Sequence, residues 1–117
     1  RVVDLTGNVH ATDEALACFE GCEGLHFLHL ADTPISDAGA AHFRSCKTLQ
    51  QLHVQSTKLS DAGLAHFKNC KGLTNLGLSD TLITNAGLAG MKGCKDLNWL
   101  HLDGTSIDDD AVTTLAG

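Results

Sequence analysis

Three histidines recur at one position of a repeated pattern and could, with an aspartate, bind a metal ion. His53 follows His29 by 24 residues, His101 follows His53 by twice that interval, and Asp4 precedes His29 by 25. Imidazole nitrogens and carboxylate oxygens are common ligands of divalent metals. If these residues lie on adjacent strands about 4.8 Å apart, His29 and His53 are close enough to share an ion, with Asp4 beside them. Histidines on a flat sheet rarely converge without a third, firmly oriented ligand, so a polar surface role is favoured.

The chain has five cysteines, an odd number that excludes complete pairing within one molecule. Cys22, Cys46, Cys70 and Cys94 recur every 24 residues beside apolar positions, as small buried residues do. A ladder of this kind spreads its thiols along one axis instead of converging them on a zinc ion. We predict four buried thiols in this ladder and a fifth, Cys18, that faces solvent. Free thiols favour a reducing compartment, so the cytoplasm is the expected location.

The sequence offers no set of residues for covalent catalysis or phosphate binding. A serine or cysteine nucleophile needs a base and a third group that orients the base, and no such set stands out. The glycines occur singly and form no phosphate-binding loop. Asp108, Asp109 and Asp110 fit the cap and first turn of a helix, where the helix dipole favours negative charge. We therefore expect a protein that is not an enzyme and that needs no cofactor or metal ion.

All of these residues belong to a 24-residue repeat that extends over almost the whole chain. The main apolar columns are Leu25, Leu49, Leu73 and Leu97, then Leu28, Leu52, Leu76 and Leu100, then Leu30, Val54, Leu78 and Leu102. Val3 and Leu5 fill the same columns in a shortened first unit. A period this strict predicts an array of about five stacked units, because no unit can bury its leucines without its neighbours.

Each unit predicts one short strand followed by one short helix. Apolar and polar residues alternate at the leucine columns, which is typical of a strand with one buried face. The next column holds residues whose side-chain oxygen can cap a helix: Thr12, Ser36, Ser60, Thr84 and Asp108. Gly39, Gly63 and Gly87 lie inside the helices, where each costs about 1 kcal/mol relative to alanine. Their recurrence indicates that neighbouring helices approach closely, and parallel strands joined by helical crossovers should wind right-handed.

The repeat pattern LxxLxLxxTx(I/L)xDAGLAxFxxCK resembles a leucine-rich repeat. The final cysteine is similar to that of the cysteine-containing subclass, and the segment Asp61 to Phe67 resembles bacterial arrays of 24-residue units, especially those of planctomycetes. Threonine replaces the usual asparagine or cysteine of the ninth repeat position in four of the five units. The resemblance implies an α/β right-handed solenoid with a parallel sheet on its concave side and short helices on its convex side. It also implies that the concave sheet binds other macromolecules.

The outward positions of the strands are the candidate binding surface. Phe27 and Trp99 are large rings in one outward column, with the amides of Gln51 and Asn75 between them. Exposed rings beside amides are typical of recognition surfaces. The predicted partner-binding residues are Phe27, His29, Gln51, His53, Asn75, Trp99, His101 and Asp103. Gly77 removes the side chain between His53 and His101, which predicts a shallow notch beside Trp99 that admits a partner side chain.

Length and charge set the remaining limits. A chain of 117 residues is one domain, 1–117, whose cut ends suggest a segment of a longer array. The net charge of -6 disfavours nucleic-acid binding, and no apolar run approaches the roughly 20 residues of a membrane helix. We expect an interaction module that binds a protein or peptide through the concave sheet. The alternative is a metal- or substrate-binding accessory domain of a larger enzyme that uses His29 and His53. The partner's identity and the oligomeric state stay open.

Overall fold

One parallel sheet of five short strands organises the fold. The computed structural model describes residues 2–21 and 23–108, and all elements given below lie within them. The strands are β1 (Val2–Asp4), β2 (Phe27–His29), β3 (Gln51–His53), β4 (Asn75–Gly77) and β5 (Trp99–His101). Their order in the open sheet is their order in the chain, and every neighbouring pair is parallel. This topology confirms the predicted solenoid of repeated strand-and-helix units.

Short helices follow the strands and pack against one another along the array. The α-helices are α1 (Asp37–Ala40), α2 (Asp61–Leu64) and α3 (Asn85–Ala89). There are 3₁₀-helices at Ala15–Phe19, Ala41–Phe43 and Ala65–Phe67, and the last two continue α1 and α2 directly. None of the helices within the described residues is long and apolar enough to cross a membrane.

The core lies between the sheet and the helices. The middle residue of each central strand points inward, and Leu28, Leu52 and Leu76 have no exposed surface. Phe43 and Phe67 cover this leucine column from the helical side and are also buried. Because the strand residues on either side of each leucine point to the opposite face, the same three-residue strands also display the candidate site residues.

The buried threonines explain how the ninth repeat position works without asparagine or cysteine. Thr33, Thr57 and Thr81 are buried, and each hydroxyl donates to the carbonyl oxygen three residues earlier at 2.6–2.7 Å. A buried hydroxyl without a partner would be destabilising, whereas this bond satisfies both the hydroxyl and a carbonyl at the end of the strand. Threonine therefore closes the turn after each strand from within the unit.

Among the predicted helix caps, Thr12 accepts a hydrogen bond from the Ala15 N–H at 3.3 Å, at the start of the first 3₁₀-helix, whereas those before α1, α2 and α3 do not cap their helices. Ser36 precedes α1, yet its side chain makes no hydrogen bond to that helix. Its backbone N–H and its hydroxyl instead donate to the carboxylate of Asp13 in the preceding unit, at 2.7 and 2.6 Å. The same two bonds join Ser60 to Asp37 and Thr84 to Asp61. We call these three pairs the inter-unit clasps, because each one ties a unit to the unit before it.

In the last pair of residues at these positions, Asn85 and Asp108, the carboxylate and the side-chain donor are exchanged. Asp108 stands where the other units have serine or threonine, and Asn85 stands where they have aspartate. The Asp108 backbone N–H donates to Asn85 Oδ1 at 3.0 Å, and Asn85 Nδ2 donates to the Asp108 carboxylate at 3.1 Å. A carboxylate has no hydrogen to donate and would repel a second carboxylate, so the amide supplies the donor. Asp109 and Asp110 lie outside the described residues.

The helical glycines make room for the clasps. A Cβ atom at Gly39 would collide with the carboxylate of Asp13, and one at Gly87 would collide with that of Asp61. The predicted close approach between units is therefore present. At Gly63 and Gly87 the group that approaches is the carboxylate of the first residue of the neighbouring helix, Asp37 of α1 or Asp61 of α2.

The cysteine ladder is buried over the part of it that the structure describes. Cys46, Cys70 and Cys94 are buried, Cys18 is exposed, and Cys22 lies outside the described residues. The Cys70 thiol donates to the Cys46 carbonyl at 3.2 Å, and the Cys94 thiol donates to the Cys70 carbonyl at 3.3 Å. Burial, followed by the neighbouring thiols, raises the pKa of Cys70 from 9.0 to about 12.

Cys18 should react with a thiol reagent long before Cys70 does in the folded protein. A rise in pKa from 9.0 to about 12 lowers the thiolate fraction of Cys70 roughly a thousandfold near neutral pH. Mass spectrometry of peptides after timed exposure to iodoacetamide measures both sites in one sample. A Cys18→Ser variant should lose the fast phase assigned to Cys18. Equal rates at Cys18 and Cys70 would contradict the buried ladder.

Candidate functional site

The outward residues of the sheet form two straight rows on the concave face. The strand register aligns Phe27, Gln51, Asn75 and Trp99 in the first row and Asp4, His29, His53, Gly77 and His101 in the second. His101 and Asp103 are exposed, whereas the other six predicted site residues are half-buried. The rings at Phe27 and Trp99 therefore lie on the face that the repeat predicted but are less open to solvent than expected.

Four rings of this face stack in one continuous row, which we call the ring row. The centroids of His29 and His53 are 4.5 Å apart, those of His53 and Trp99 are 5.1 Å apart, and those of Trp99 and His101 are 3.9 Å apart. Each pair of ring planes is within 25° of parallel. The spacings are close to that of the strands, so the rings follow the sheet from β2 to β5.

Trp99 completes the ring row at the place where β4 has no side chain. Gly77 lies between His53 and His101 in the second row, so the histidines alone would leave a gap there. The Trp99 indole leans from the first row into that gap and stacks on both histidines. Both faces of the indole are therefore covered by histidine rings.

The notch predicted at Gly77 is absent because Gln55 also fills it. Gly77 is buried, and a Cβ atom there would collide with the side-chain amide of Gln55. Gln55 lies two residues beyond His53 on the same face, and sequence reasoning left it out of the site. A long amide diagonal to a glycine on the next strand is the signal that could have identified it.

His53 occupies the most enclosed position of the ring row. Its Nε2 atom and the Oε1 atom of Gln55 are buried and have no hydrogen-bond partner. Burial lowers the pKa of His53 below 6.5, and the charges that His29 and His101 can carry lower it further. His29 differs, since its Nε2 lies 3.3 Å from Gln51 Oε1. The packed row therefore favours an uncharged His53 ring.

The histidines and Asp4 do not converge as metal ligands. Ring nitrogens direct their lone pairs within the ring plane, so stacked rings present them side by side and not toward one point. The Thr6 backbone N–H donates to Asp4 Oδ1 at 3.1 Å, and hydrogen bonding with Thr6 lowers the Asp4 pKa more than His29 does. Across residues 2–21 and 23–108, no three His, Cys, Asp or Glu side chains are grouped as a metal site requires.

Comparisons with known proteins agree with this architecture. A solved structure of an internalin from Listeria monocytogenes is similar over 86% of this chain, with a TM-score of 0.75 and 24% sequence identity. This chain covers 29% of the internalin chain. A plant peptide hormone receptor, solved in complex with the peptide RGF2, aligns over 98% of this chain and 30% of its own, with 15% identity and a TM-score of 0.40. The search of curated proteins finds no match. The family model described as "Leucine rich repeat" matches residues 47–107, which is more than half of the sequence. This chain belongs to the leucine-rich repeat family.

Proposed function

We propose that this chain is a non-catalytic interaction domain, 1–117, that binds a protein or peptide segment along the concave face of its sheet. The ring row is the observation that supports this function. Four rings stand on the solvent side of the sheet, opposite the leucine core, and hold one another by stacking. Rings fixed before binding lose little conformational freedom when a partner arrives, and aromatic side chains are frequent energetic centres of interfaces.

Polar groups beside the ring row suit an extended polypeptide. Gln51 Oε1 contacts His29, and Asn75 Oδ1 accepts a hydrogen bond from the Thr74 hydroxyl at 2.9 Å. The amide nitrogens of Gln51 and Asn75 have no hydrogen-bond partner among the described residues, so both are available as donors to the carbonyl groups of a partner backbone. Phe27 on β2 and Asp103, just past β5, mark the two ends of the proposed surface.

Membership in the leucine-rich repeat family agrees with this use of the sheet. Solenoids of stacked repeats present one extended concave surface because each unit adds one strand to the same face. Five strands in register supply that surface here. The partner is proposed only by class, as a protein or peptide that contacts rings and amides.

Replacing Trp99 by alanine should weaken partner binding by at least about 30-fold, the equivalent of roughly 2 kcal/mol. The loss is expected because the indole is the largest ring of the row and also holds His53 and His101 in place. A phage-displayed library of random peptides, selected on the wild-type protein, supplies the ligand for the measurement. Calorimetry with the selected peptide then compares the wild-type and variant proteins, and circular dichroism verifies that both are folded.

Lys71→Ala is the matched control for the Trp99 experiment. Lys71 is exposed and lies in the loop that returns from the helix to the next strand, away from the ring row. Its substitution should change the affinity by less than about twofold, as surface substitutions outside an interface do. An affinity that depends on Lys71 and is insensitive to Trp99 would place binding outside the concave sheet and reject the proposal.

A further inference from the structure

We infer that the ring row is a pH-operated latch: at neutral pH Trp99 is packed into the gap above Gly77, and protonation of His53 releases it. This inference concerns regulation of the surface in the proposed function. It rests on the packing of the rings themselves, so it can be tested without a partner.

His53 is half-buried and stacked between two rings. His29 stacks on it from β2 at 4.5 Å, and Trp99 stacks on it from β5 at 5.1 Å. β4 contributes only Gly77, over which the Gln55 amide and the indole lie. The Nε2 atom of His53 is buried and has no hydrogen-bond partner.

Within residues 2–21 and 23–108, no carboxylate is among the charges that act on His53. His29 faces it from β2 and Trp99 faces it from β5, whereas His101 lies beyond the indole and the Gln55 amide lies over Gly77 of β4. Asp4 lies on the far side of His29 and is hydrogen-bonded to Thr6. Asp103 is exposed and is not among the charges that act on His53. A proton on His53 would therefore create a partly desolvated cation with no carboxylate beside it and with two histidines whose charges oppose it.

Opening the ring row removes two costs of protonating His53, namely the burial of its charge and the lack of a hydrogen-bond partner for Nε2. Once Trp99 swings out of the gap, water reaches His53 Nε2, and the imidazolium ring can turn away from His29. Attraction between a cation and the indole face acts in the opposite direction and would keep Trp99 in place. In the packed row Nε2 is buried and makes no hydrogen bond, which is the reason that we expect opening to prevail.

The direction of the pH dependence follows from the pKa of His53. Its pKa in the packed row is below 6.5, so the open state binds a proton more tightly than the closed state does. The closed row is favoured above this pH. As the pH falls below 6.5, the ratio of open to closed molecules rises by up to about tenfold per pH unit, until the pH reaches the pKa of the packed ring.

Trp99 is the only tryptophan of the chain, so the tryptophan fluorescence reports on the ring row. We expect its acrylamide quenching constant to rise about twofold or more between about pH 7.5 and pH 5. His53→Phe keeps a stacked ring without a titratable nitrogen and should hold the quenching constant at its neutral-pH value. His10→Gln, which removes an exposed histidine of the first unit, should behave as the wild type does. Far-UV circular dichroism should stay unchanged, which separates local opening from unfolding.

Three results would overturn the inference: a pH-independent quenching constant in the wild type, the same rise in His53→Phe, or a rise that accompanies loss of the circular dichroism signal. His53→Gln serves as a second variant, since it also removes the titration and should show no pH dependence even if its row is open throughout. Because no partner is present, failure of the peptide-binding proposal leaves this result standing. Failure of the latch likewise leaves the peptide measurements at neutral pH untouched.

Discussion

Replacing Leu76 by alanine is expected to lower the free energy of unfolding by about 2–5 kcal/mol. Leu76 has no exposed surface, and on β4 it lies between Leu52 of β3 and Leu100 of β5. The shorter side chain leaves a cavity at the centre of the array, and the flanking strands cannot close it without giving up their register. Urea unfolding followed by circular dichroism measures the loss.

Leu82→Ala is the matched control for this substitution. Leu82 belongs to the same unit but is 64% exposed, so removal of its side chain should change the stability by less than about 0.5 kcal/mol. Similar losses in the two variants would show that burial in the leucine column does not determine the stability of the array.

The period of the sequence was sufficient to predict the architecture. Leu28, Leu52 and Leu76 recur at the same interval, and a strand with one buried face is the element that can present all of them to one core. Once the strands are in register, the outward neighbours of each leucine must share the opposite face. The candidate surface could therefore be assigned from residue numbers alone, including the rows that contain Phe27 and His29.

The conformations of the side chains on that surface could not be assigned in the same way. Whether Gly77 leaves a notch depends on Gln55 from the unit before it and on Trp99 from the unit after it, since both move into the same space. The packing beside Gly77 thus depends on residues from three consecutive units. The repeat position that contains Gly77 predicts an empty space there, but it does not indicate which neighbouring side chain fills that space.

The inter-unit clasps show a second limit of predicting side-chain contacts from recurring sequence positions. Serine before a helix predicts an N-cap, and aspartate in the first turn is also favourable near the helix dipole, so both residue types fit a role within one unit. The structure uses them between units, as in the Asp13–Ser36 pair. The sequence did contain a signal of this pairing at Asn85 and Asp108. Where an aspartate replaces the serine of the usual pair, an asparagine replaces the aspartate that would bind it.

Gly39→Ala is expected to lower the free energy of unfolding by about 2–3 kcal/mol, although helix propensity alone predicts a gain of about 1 kcal/mol. The added methyl group would collide with the Asp13 carboxylate. Asp13 would have to move away and lose its bonds to the Ser36 N–H and hydroxyl, at 2.7 and 2.6 Å. A hydrogen bond to a charged group contributes about 1.5–3 kcal/mol, so the loss exceeds the gain in propensity.

A double-mutant cycle with Asp13→Ala separates the clasp from other effects of the methyl group. In the Asp13→Ala background no carboxylate occupies the space beside Gly39, so Gly39→Ala should cost less than about 1 kcal/mol there. Gly72→Ala is the control for backbone entropy, because a Cβ atom at Gly72 has no neighbouring atom within 4 Å. That variant should match the wild type or slightly exceed it in urea unfolding. If Gly39→Ala stabilises the protein, or costs the same with and without Asp13, the glycine column does not exist to accommodate the clasps.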